Sequence, residues 1–388
     1  MKFLHTADLH IGKNIFEFNM LEDQKYILQE ILDIAKAEQV DGILLAGDIY
    51  DRSVPSTEAV QVLEWFLLEA LSIAKVFVIS GNHDSAERLS FGASLLEKSG
   101  LYIVGGKEVR EVILEDSHGK VALHLLPFVK PAVVGAANSE EAVNIQLQKL
   151  KAGWERAERH VLVTHFFVCA GGKEPELSDS EQHSYVGGLD KVDSALFEAY
   201  DYVALGHIHK PQCMRKGKVY YAGSPFCYSF SECKVNGEGA FSGKGVLIIE
   251  LMEEGSMSIT RKPLHPLRNM RIIKGSLQEL MKKANVLDLE QEEADERKDD
   301  YLQVILTDKD ELIDPIGSLR SVYPNVMQIV LEKRFKEGNT PLLRGFESKS
   351  KTMEELFGSF YEALAGEPMD EERAGVVRRI SSEMEKEE

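Results

Sequence analysis

Five short runs of mostly apolar residues are each followed at once by polar side chains. The runs are residues 2–6, 42–46, 76–80, 160–164 and 202–205. Continuous apolar runs of this length are typical of strands that are covered on both faces. The pattern therefore predicts an α/β fold in which five strands end in polar loops, with a functional site at the carboxyl edge of the sheet.

Two longer segments, residues 21–37 and 57–74, have the periodicity of amphipathic helices, and we expect them to pack on the sheet. Beyond residue 265 the pattern predicts a small α+β domain of about 65 residues, which is enough for a modest core. Its expected elements are strands at 271–273, 301–306 and 326–331 and helices at 276–283 and 315–322. The chain is thus divided into residues 1–265, 266–335 and 336–388.

The last part begins as a polar linker and then becomes helical. One apolar stripe is formed by Met353, Leu356, Phe357, Phe360, Tyr361 and Leu364, and a second helix is expected around Val376, Val377, Ile380 and Met384. Two short helices cannot bury such a stripe by themselves. They either pack back on the body of the protein or dock on another chain, and we favour docking.

The residues after the five strands offer carboxylate, amide and imidazole groups. They are Asp8, His10, Asp48, Asn82, His165, His207 and His209. Such ligands without thiolate suit manganese, iron, zinc or magnesium, and six or more exceed what one tetrahedral zinc uses, so we expect two ions. Two ions about 3.5–4 Å apart can share an aspartate and a hydroxide and clamp a phosphoryl group, which indicates phosphate-ester hydrolysis. The alternative interpretation of these residues is loop capping and turn formation.

Three glycines, Gly47, Gly81 and Gly206, stand just before the candidate ligands. We expect the backbone to turn sharply at these positions and to pass close to another backbone or to a substrate phosphate.

The five segments together resemble the calcineurin-like metallophosphoesterase family. They read Asp-x-His, Gly-Asp-x-x-Asp, Gly-Asn-His-Asp, His and Gly-His-x-His, in that order. The resemblance implies a β-sandwich flanked by helices, with Asp8, His10 and His209 on one metal, Asn82, His165 and His207 on the other, and Asp48 between them. It also implies that His83 contacts the phosphate and assists the leaving oxygen, that Asp84 orients the His83 ring, and that Asp51 supports the ligands without binding metal.

Further segments are similar to the SbcD branch of this family, notably residues 1–13, 47–56 and 223–232. That branch implies a manganese-dependent nuclease, a double-strand 3′–5′ exonuclease and single-strand or hairpin endonuclease acting in DNA recombination, replication and repair. It also implies a homodimer within a heterotetramer, an SbcC-type SMC-like ATPase partner bound by the C-terminal helices, and a capping role for residues 266–335. The glycine-rich stretch 232–245 departs from the pattern, and we expect a flexible excursion that leaves the metal site unaffected.

The composition of the chain indicates its cellular location and the redox state of its cysteines. The longest apolar runs fall well short of the roughly 20 residues of a membrane span, so we expect a soluble, cytoplasmic protein that does not bind membranes. The four cysteines are not arranged as Cys-x-x-Cys pairs, and free reduced thiols are expected: Cys169, Cys213, Cys227 and Cys233.

The net charge of −19 contrasts with the basic face of most DNA-binding proteins. We interpret the acidity as a sign that a partner shares the DNA-holding surface. Candidate backbone contacts are Lys13, Arg52, Arg88 and the basic run 261–271, for which ordinary surface charge is the alternative.

Two other functions remain open from the sequence. A dimetal phosphatase or small-molecule phosphodiesterase would use the same ligands, and an inactive partner-binding scaffold would keep only the fold. The complete ligand set counts against the scaffold, because losing one or two ligands would cripple the site.

Overall fold

The computed structural model describes residues 1–151, 153–182, 190–233, 243–253, 256–287, 297–308, 312–332, 357–358, 361, 369–370 and 373–378. The chain divides into two compact units, residues 1–331 and 332–388. In the second unit residues 373–378 are helical, and the Arg373 guanidinium lies 5.6 Å from the centre of the Tyr361 ring. Most of the two predicted C-terminal helices lies outside the described residues.

One six-stranded sheet contains three of the predicted strands. Its strands, in spatial order, are β16 (Met257–Pro263), β15 (Gly245–Leu251), β1 (Lys2–Thr6), β4 (Gly42–Ala46), β5 (Lys75–Ile79) and β6 (Leu101–Val104). Strands β1, β4, β5 and β6 are parallel, whereas β15 and β16 are antiparallel to their neighbours. The carboxyl ends of β1, β4 and β5 therefore meet at one edge.

A second six-stranded sheet contains the other two predicted strands, residues 160–164 and 202–205. Its spatial order is β13 (Gln212–Arg215), β14 (Val219–Tyr221), β12 (Tyr202–Gly206), β9 (Arg159–His165), β8 (Gly119–Leu126) and β7 (Arg110–Asp116). The four central strands are parallel and the two outer strands are antiparallel to them. All five predicted strands are confirmed, within one residue at each end.

The two sheets pack face to face. Phe3, Leu44 and Phe77 of the first sheet share a buried core with Leu123 and Val163 of the second. Because successive strand residues point to opposite faces, the neighbouring apolar residues of the same strands pack outward beneath helices. The expected β-sandwich flanked by helices is confirmed, and the continuous apolar runs arise because both strand faces are buried.

Helices α1 (Leu21–Glu38) and α2 (Thr57–Ile73) cover the first sheet, as expected, and α6 (Ser139–Lys151) covers the second. Helix α2 begins at Thr57 because the Ser56 side chain accepts a 3.2 Å hydrogen bond from the Ala59 N–H. None of the described helices is long and apolar enough to cross a membrane. The shorter elements are α3 (Ala86–Leu89), α4 (Ala93–Leu96), α5 (Pro131–Val134), α7 (Asp179–Gln182) and the strand pairs β2 (Asn14–Ile15) with β3 (Phe18–Asn19) and β10 (Phe167–Cys169) with β11 (Lys191–Asp193).

The segment after residue 265 forms a third sheet with the predicted alternation of strands and helices. Its elements are β17 (Met270–Gly275), α8 (Leu277–Leu287), β18 (Tyr301–Leu306), α9 (Pro315–Arg320) and β19 (Val326–Leu331). The three strands are parallel, in the order β17-β18-β19, which the sequence pattern did not specify. One side of this sheet joins the core beneath α1, because Met270, Tyr301 and Met327 are buried among the residues of that core.

Candidate metal centre

The five predicted polar loops converge at one end of the sandwich, between the two sheets. The single sheet edge expected from the sequence is wrong, because β1, β4 and β5 lie in one sheet and β9 and β12 in the other. Direct bonds join the two sides: the His165 ring donates from Nδ1 to the Ala46 carbonyl at 2.8 Å, and the His207 N–H donates to Asp8 Oδ1 at 2.8 Å. The site is therefore assembled by packing one sheet on the other.

The glycines before the ligands permit this close approach. A Cβ on Gly81 would overlap the Asp48 carboxylate and backbone, and a Cβ on Gly206 would overlap the Ala46 carbonyl oxygen. Gly47 has φ +86°, and a Cβ there would strike the His165 ring. The expected close backbone contacts are confirmed at Gly81 and Gly206, and the positive φ of Gly47 confirms the expected turn there.

One group of candidate ligands consists of Asp8, His10 and His209. Their ligand atoms lie within 4.8 Å of one another, and all three side chains are buried. His10 Nε2 and His209 Nε2 are 3.1 Å apart, and Asp48 Oδ2 lies 3.7 Å from His10 Nε2. Two imidazole nitrogens that face each other in this way have the arrangement of two ligands of a single ion.

A second group consists of Asn82, His165 and His207, again with Asp48. Asn82 Oδ1 lies 3.0 Å from His165 Nε2 and 2.9 Å from His207 Nδ1. Asp48 Oδ2 lies 3.3 Å from His165 Nε2. Because the Nδ1–H of His165 donates to a carbonyl, its Nε2 is the nitrogen that faces the site. Asp48 faces both groups, which is the position expected of a shared ligand.

The backbone is strained where these ligands stand. Four of them have left-handed conformations that are rare for residues other than glycine: Asp8 (φ 54°), His10 (φ 43°), Asp48 (φ 50°) and His207 (φ 98°). Such strain persists only where surrounding contacts over-determine the conformation, and it concentrates at functional sites.

Burial and charge shift the pKa values of these groups. Burial lowers the pKa of His10 and of His207 to about 3, so both rings are neutral with a lone pair available. Burial opposes ionisation of Asp48, but the charge of His165 outweighs it and holds the pKa of Asp48 well below its usual range. The same pairing raises the pKa of His165 to about 9 against the effect of burial. Asp48 is therefore ionised in the folded protein and paired with a charged His165.

The donor set fits two divalent cations. Asp8 Oδ2 is buried without a hydrogen-bond partner among the described residues, which is costly for a polar atom unless another group binds there. A small cavity opens between the groups and is lined by His10, Lys13, Asp48, Asn82, His83, Ser180, Glu181, His207 and His209. Carboxylate, amide and imidazole donors around one shared aspartate suit two hard or borderline ions.

His83 lies beside the first group, with its ring centre 4.8 Å from that of His10. The expectation that Asp84 orients the His83 ring is wrong. The ring Nδ1 donates instead to the Asp51 carbonyl at 3.0 Å. The Asp84 carboxylate accepts three backbone N–H bonds, from Ile49 at 3.1 Å, Tyr50 at 2.9 Å and Gly81 at 2.9 Å. Asp84 therefore fixes the loops that carry Asp48 and Asn82, because its oxygens are bonded to backbone amides and not to the His83 ring.

Asp51 supports the site from beside the ligands, as the sequence suggested. Its Oδ1 accepts a 2.6 Å bond from Lys13 Nζ and lies 3.6 Å from His10 Nδ1. Lys13 also lines the cavity. Of the other candidate DNA contacts, Arg52 has a side chain 75% exposed and 3.7 Å from Asp51, and Arg88 lies exposed in α3.

Two arginines of the basic run 261–271, which is one of the candidate DNA contacts, are paired with acidic side chains. Arg268 is paired with Glu22 and with the buried Asp23, both at 2.7 Å, and Arg271 donates to Asp300 at 2.7 Å. These guanidinium groups join parts of the protein to one another. The packing of the third sheet against α1 brings Arg268 to its acidic partners, which local charge could not reveal.

The sequence analysis did not identify several residues that form hydrogen bonds to the candidate ligands or to their loops. Ser180 Oγ bonds to His209 Nδ1 at 2.9 Å, and Glu181 accepts from the His209 N–H. The side chains of Gln24 and Tyr228 bond to backbone carbonyls of the Asp8–His10 loop. These residues are distant in sequence from the ligands and lack metal-binding spacing, so only the segment 223–232 gave any signal, through its resemblance to the SbcD branch.

Lys244 also contacts the site. Its buried Nζ donates to the His209 carbonyl at 2.9 Å and pairs with Glu232, whereas residues 234–242 between them lie outside the described residues. The stretch 232–245, which was expected to leave the metal site unaffected, therefore contacts a candidate ligand residue through Lys244.

Comparisons with known proteins agree with this geometry. The family profile of the calcineurin-like phosphoesterases matches residues 1–211, and the profile of the type 5 capsule protein repressor C-terminal domain matches residues 266–364. Two relatives carry the name of the SbcD component of the nuclease SbcCD, one from Staphylococcus epidermidis and one from Staphylococcus saprophyticus. Each is 30% identical over 98% of this chain, and the matches cover 98% and 97% of their own length.

Solved structures also align with the chain. A dimetal phosphatase from Danio rerio aligns over 69% of this chain and 98% of its own, with 14% identity and a TM-score of 0.40. The length and identity of the two sequence relatives, together with the family profile, decide the assignment. The chain belongs to the calcineurin-like phosphoesterase family and, within it, to the group of SbcD proteins.

Proposed function

We propose that the protein is a manganese-dependent DNA nuclease, the catalytic subunit of a complex with an SbcC-type SMC-like ATPase. The observation that carries this proposal is the pair of ligand groups that share Asp48. The full-length relatives named as components of a nuclease favour DNA over a small phosphate ester as the substrate. Exonuclease and hairpin endonuclease activity in DNA recombination, replication and repair belong to the same proposal.

Each metal would have its own ligands. Asp8, His10 and His209 would hold one ion, while Asn82, His165 and His207 would hold the other, with Asp48 shared between them. When bound, two divalent ions supply Lewis acidity that activates water and neutralises charge on the phosphodiester. The buried, neutral rings of His10 and His207 are ready to ligate without first losing a proton.

His83 would act on the leaving oxygen. Its Nδ1–H is committed to the Asp51 carbonyl, so Nε2 is the nitrogen able to carry and deliver a proton. The His83 N–H also donates to Asp48 Oδ1 at 2.9 Å, which fixes this residue to the shared carboxylate. Lys13 is placed at the cavity to contact a backbone phosphate.

We include a homodimer and a partner ATPase in the same proposal. Phe91 and Leu95 are 87% and 80% exposed on neighbouring turns, and an apolar pair of this kind suits a dimer contact. In the second unit Phe357 and Val376 are each 44% exposed, which suits docking of the C-terminal helices on the ATPase. We assign residues 1–265 to the nuclease domain, 266–335 to the capping domain and 336–388 to the partner-binding tail.

We also place the protein in the cytoplasm. All four of its cysteines are free, which suits a reducing compartment.

The proposal is tested on duplex DNA labelled at either the 5′ or the 3′ end. Wild type and His83→Ala are compared with Mn²⁺, Mg²⁺ or a chelator, with p-nitrophenyl phosphate as a monoester control. We expect Mn²⁺-dependent shortening from the 3′ end that His83→Ala reduces by roughly 10²–10⁴-fold.

The matched control is His118→Ala, because His118 is a surface histidine whose ring bonds to Glu253, away from the candidate ligands. This variant should cut DNA like the wild type. Strong monoester hydrolysis with intact DNA would replace the nuclease by a phosphatase. If both substrates survive even with the ATPase partner present, the scaffold becomes the better explanation.

A further inference from the structure

The side-chain amide of Gln24, in the first turn of α1, clamps the loop that carries His10. Gln24 is 3% exposed, and both ends of its amide are used. Its Oε1 accepts from the Gly12 N–H at 2.9 Å. Its Nε2 donates to the His10 carbonyl at 2.7 Å, and it lies 3.3 Å from the Leu9 carbonyl and 3.0 Å from the Tyr228 hydroxyl. One side chain thus holds the backbone on both sides of a candidate ligand.

His10 needs such a clamp because its backbone is strained. It has φ 43°, a conformation that residues other than glycine adopt only when their surroundings impose it. The Gln24 bonds fix the carbonyl of His10 and the amide two residues later, so they set the direction in which the ring leaves the backbone. Without these bonds the loop is free to relax toward ordinary φ values.

The neighbours of Gln24 in the same helical turn face the third sheet. Asp23 is fully buried, and its Oδ2 accepts from the Tyr301 hydroxyl at 2.8 Å and from Arg268 Nη1 at 2.7 Å. Glu22 accepts from Arg268 Nη2 at 2.7 Å. Consecutive residues of one helical turn therefore bond on one side to Tyr301 of the third sheet and to Arg268 just before it, and on the other side to the metal-site loop.

We propose that the first turn of α1 couples the third sheet to the His10 metal site. Gln24 is the positioning residue for His10. The contacts of Asp23 with Arg268 and Tyr301 fix the position of the first turn of α1 relative to the third sheet. The inference rests on the proposed metal site. A shift of the third sheet, as when a substrate or partner presses on it, changes the affinity of the metal group that contains His10 and leaves the other group unchanged.

The first experiment separates the two metal groups. Mn²⁺ is titrated calorimetrically into the metal-free full chain of two variants. The His165→Ala variant keeps the ligand group that contains His10. The His10→Ala variant keeps the ligand group that contains His165. Gln24→Met should weaken Mn²⁺ binding roughly 10- to 100-fold in the first background and leave it unchanged in the second. The control is Gln29→Met, an exposed glutamine of the same helix whose amide bonds to the neighbouring Asp33, and it should have no effect.

The second experiment tests the proposed coupling between the third sheet and the His10 metal site. Tyr301→Phe removes one hydroxyl that faces Asp23, and we expect about 3- to 30-fold weaker Mn²⁺ binding in the His165→Ala background. Tyr323→Phe removes a buried hydroxyl that faces Leu280 beside the third sheet, and it should not change Mn²⁺ affinity. Thermal unfolding in chelator accompanies each titration, so that loss of fold is recognised separately.

The outcomes distinguish the inference from the proposed function. If Gln24→Met weakens Mn²⁺ binding equally at both ligand groups and lowers the thermal stability of the protein in parallel, Gln24 has a general structural role and the inference is overturned. Unchanged binding in Tyr301→Phe would overturn the coupling to the third sheet. Failure of the wild type to bind Mn²⁺ at all would overturn the proposed metal site and the inference with it.

Discussion

Replacing Lys244 by methionine should destabilise the protein strongly, because it breaks a buried ion pair. Lys244 is 6% exposed and Glu232 is 4% exposed. The ammonium group donates to Glu232, to Ser224 Oγ at 2.8 Å and to the His209 carbonyl at 2.9 Å. Burial acts to lower the pKa of Lys244, but the charge of Glu232 raises it overall, so the lysine is charged in the folded protein.

The size of the effect follows from the partner that is left behind. Methionine fills much of the lysine volume, so little cavity forms and the main cost is the Glu232 carboxylate, buried without its counter-charge. Removing one partner of a buried pair typically costs about 3–5 kcal/mol. Replacing Glu232 by glutamine as well removes that charge, and the double variant should regain about half of the loss, or about 2 kcal/mol.

The assay is urea unfolding of the full chain at pH 7 in chelator, so that bound metal does not add to the free energy of unfolding. The control is Lys218→Met, because Lys218 is only partly buried and its ammonium group donates to the Glu198 carbonyl at 3.1 Å; it should stay within about 0.5 kcal/mol of the wild type. A loss under about 1 kcal/mol in Lys244→Met would refute the reasoning, since a buried charge pair cannot be broken so cheaply. A double variant less stable than the single one would also refute it.

Three further perturbations test other parts of the structure. Gly81→Ala should lower Mn²⁺ affinity by at least roughly tenfold, because the new Cβ would displace the Asp48 carboxylate; calorimetry measures this and circular dichroism checks the fold. Phe91→Glu should convert a dimer to a monomer in light scattering, and an unchanged mass would exclude this face as the dimer contact. The hydrogen bond from Arg159 lowers the pKa of Asp116, so its contribution to stability is full above the unfolded pKa of about 3.9 and is lost as pH falls toward the lower folded value. Asp116→Asn should therefore be less stable than the wild type at pH 7, by a margin that shrinks in urea unfolding at pH 3.

The sequence alone was sufficient for the strands and for the set of polar residues that gather at their ends. Strands with two buried faces leave a continuous apolar signal, and the ligands follow each strand within a few residues. The distance between a strand end and its ligand is fixed by covalent geometry, so residues such as Asp8, Asp48 and His165 are recognisable from local sequence. The alternation of strands and helices after residue 265 was predictable for the same reason.

Tertiary structure decided which atoms complete each contact. The family resemblance implied that Asp84 faces its neighbour His83, but the carboxylate accepts hydrogen bonds from backbone amides of another loop. The basic character of Arg268 was visible in the sequence, whereas its pairing with Asp23 depends on how the third sheet packs on α1. Such contacts join residues that are far apart in the chain, and no local pattern encodes them.

The same division explains the residues that sequence reasoning missed. Gln24 and Lys244 are ordinary polar residues in sequence, one in a helix and one beyond a glycine-rich stretch. Their importance arises because folding buries them beside carbonyls of the ligand loops, where an amide or ammonium group must find partners. The sequence by itself determined which side chains have the chemistry to bind metal and near which strand ends they stand. The packing of the two sheets and of α1 decided which other side chains hold those ligands in place, because that depends on long-range burial.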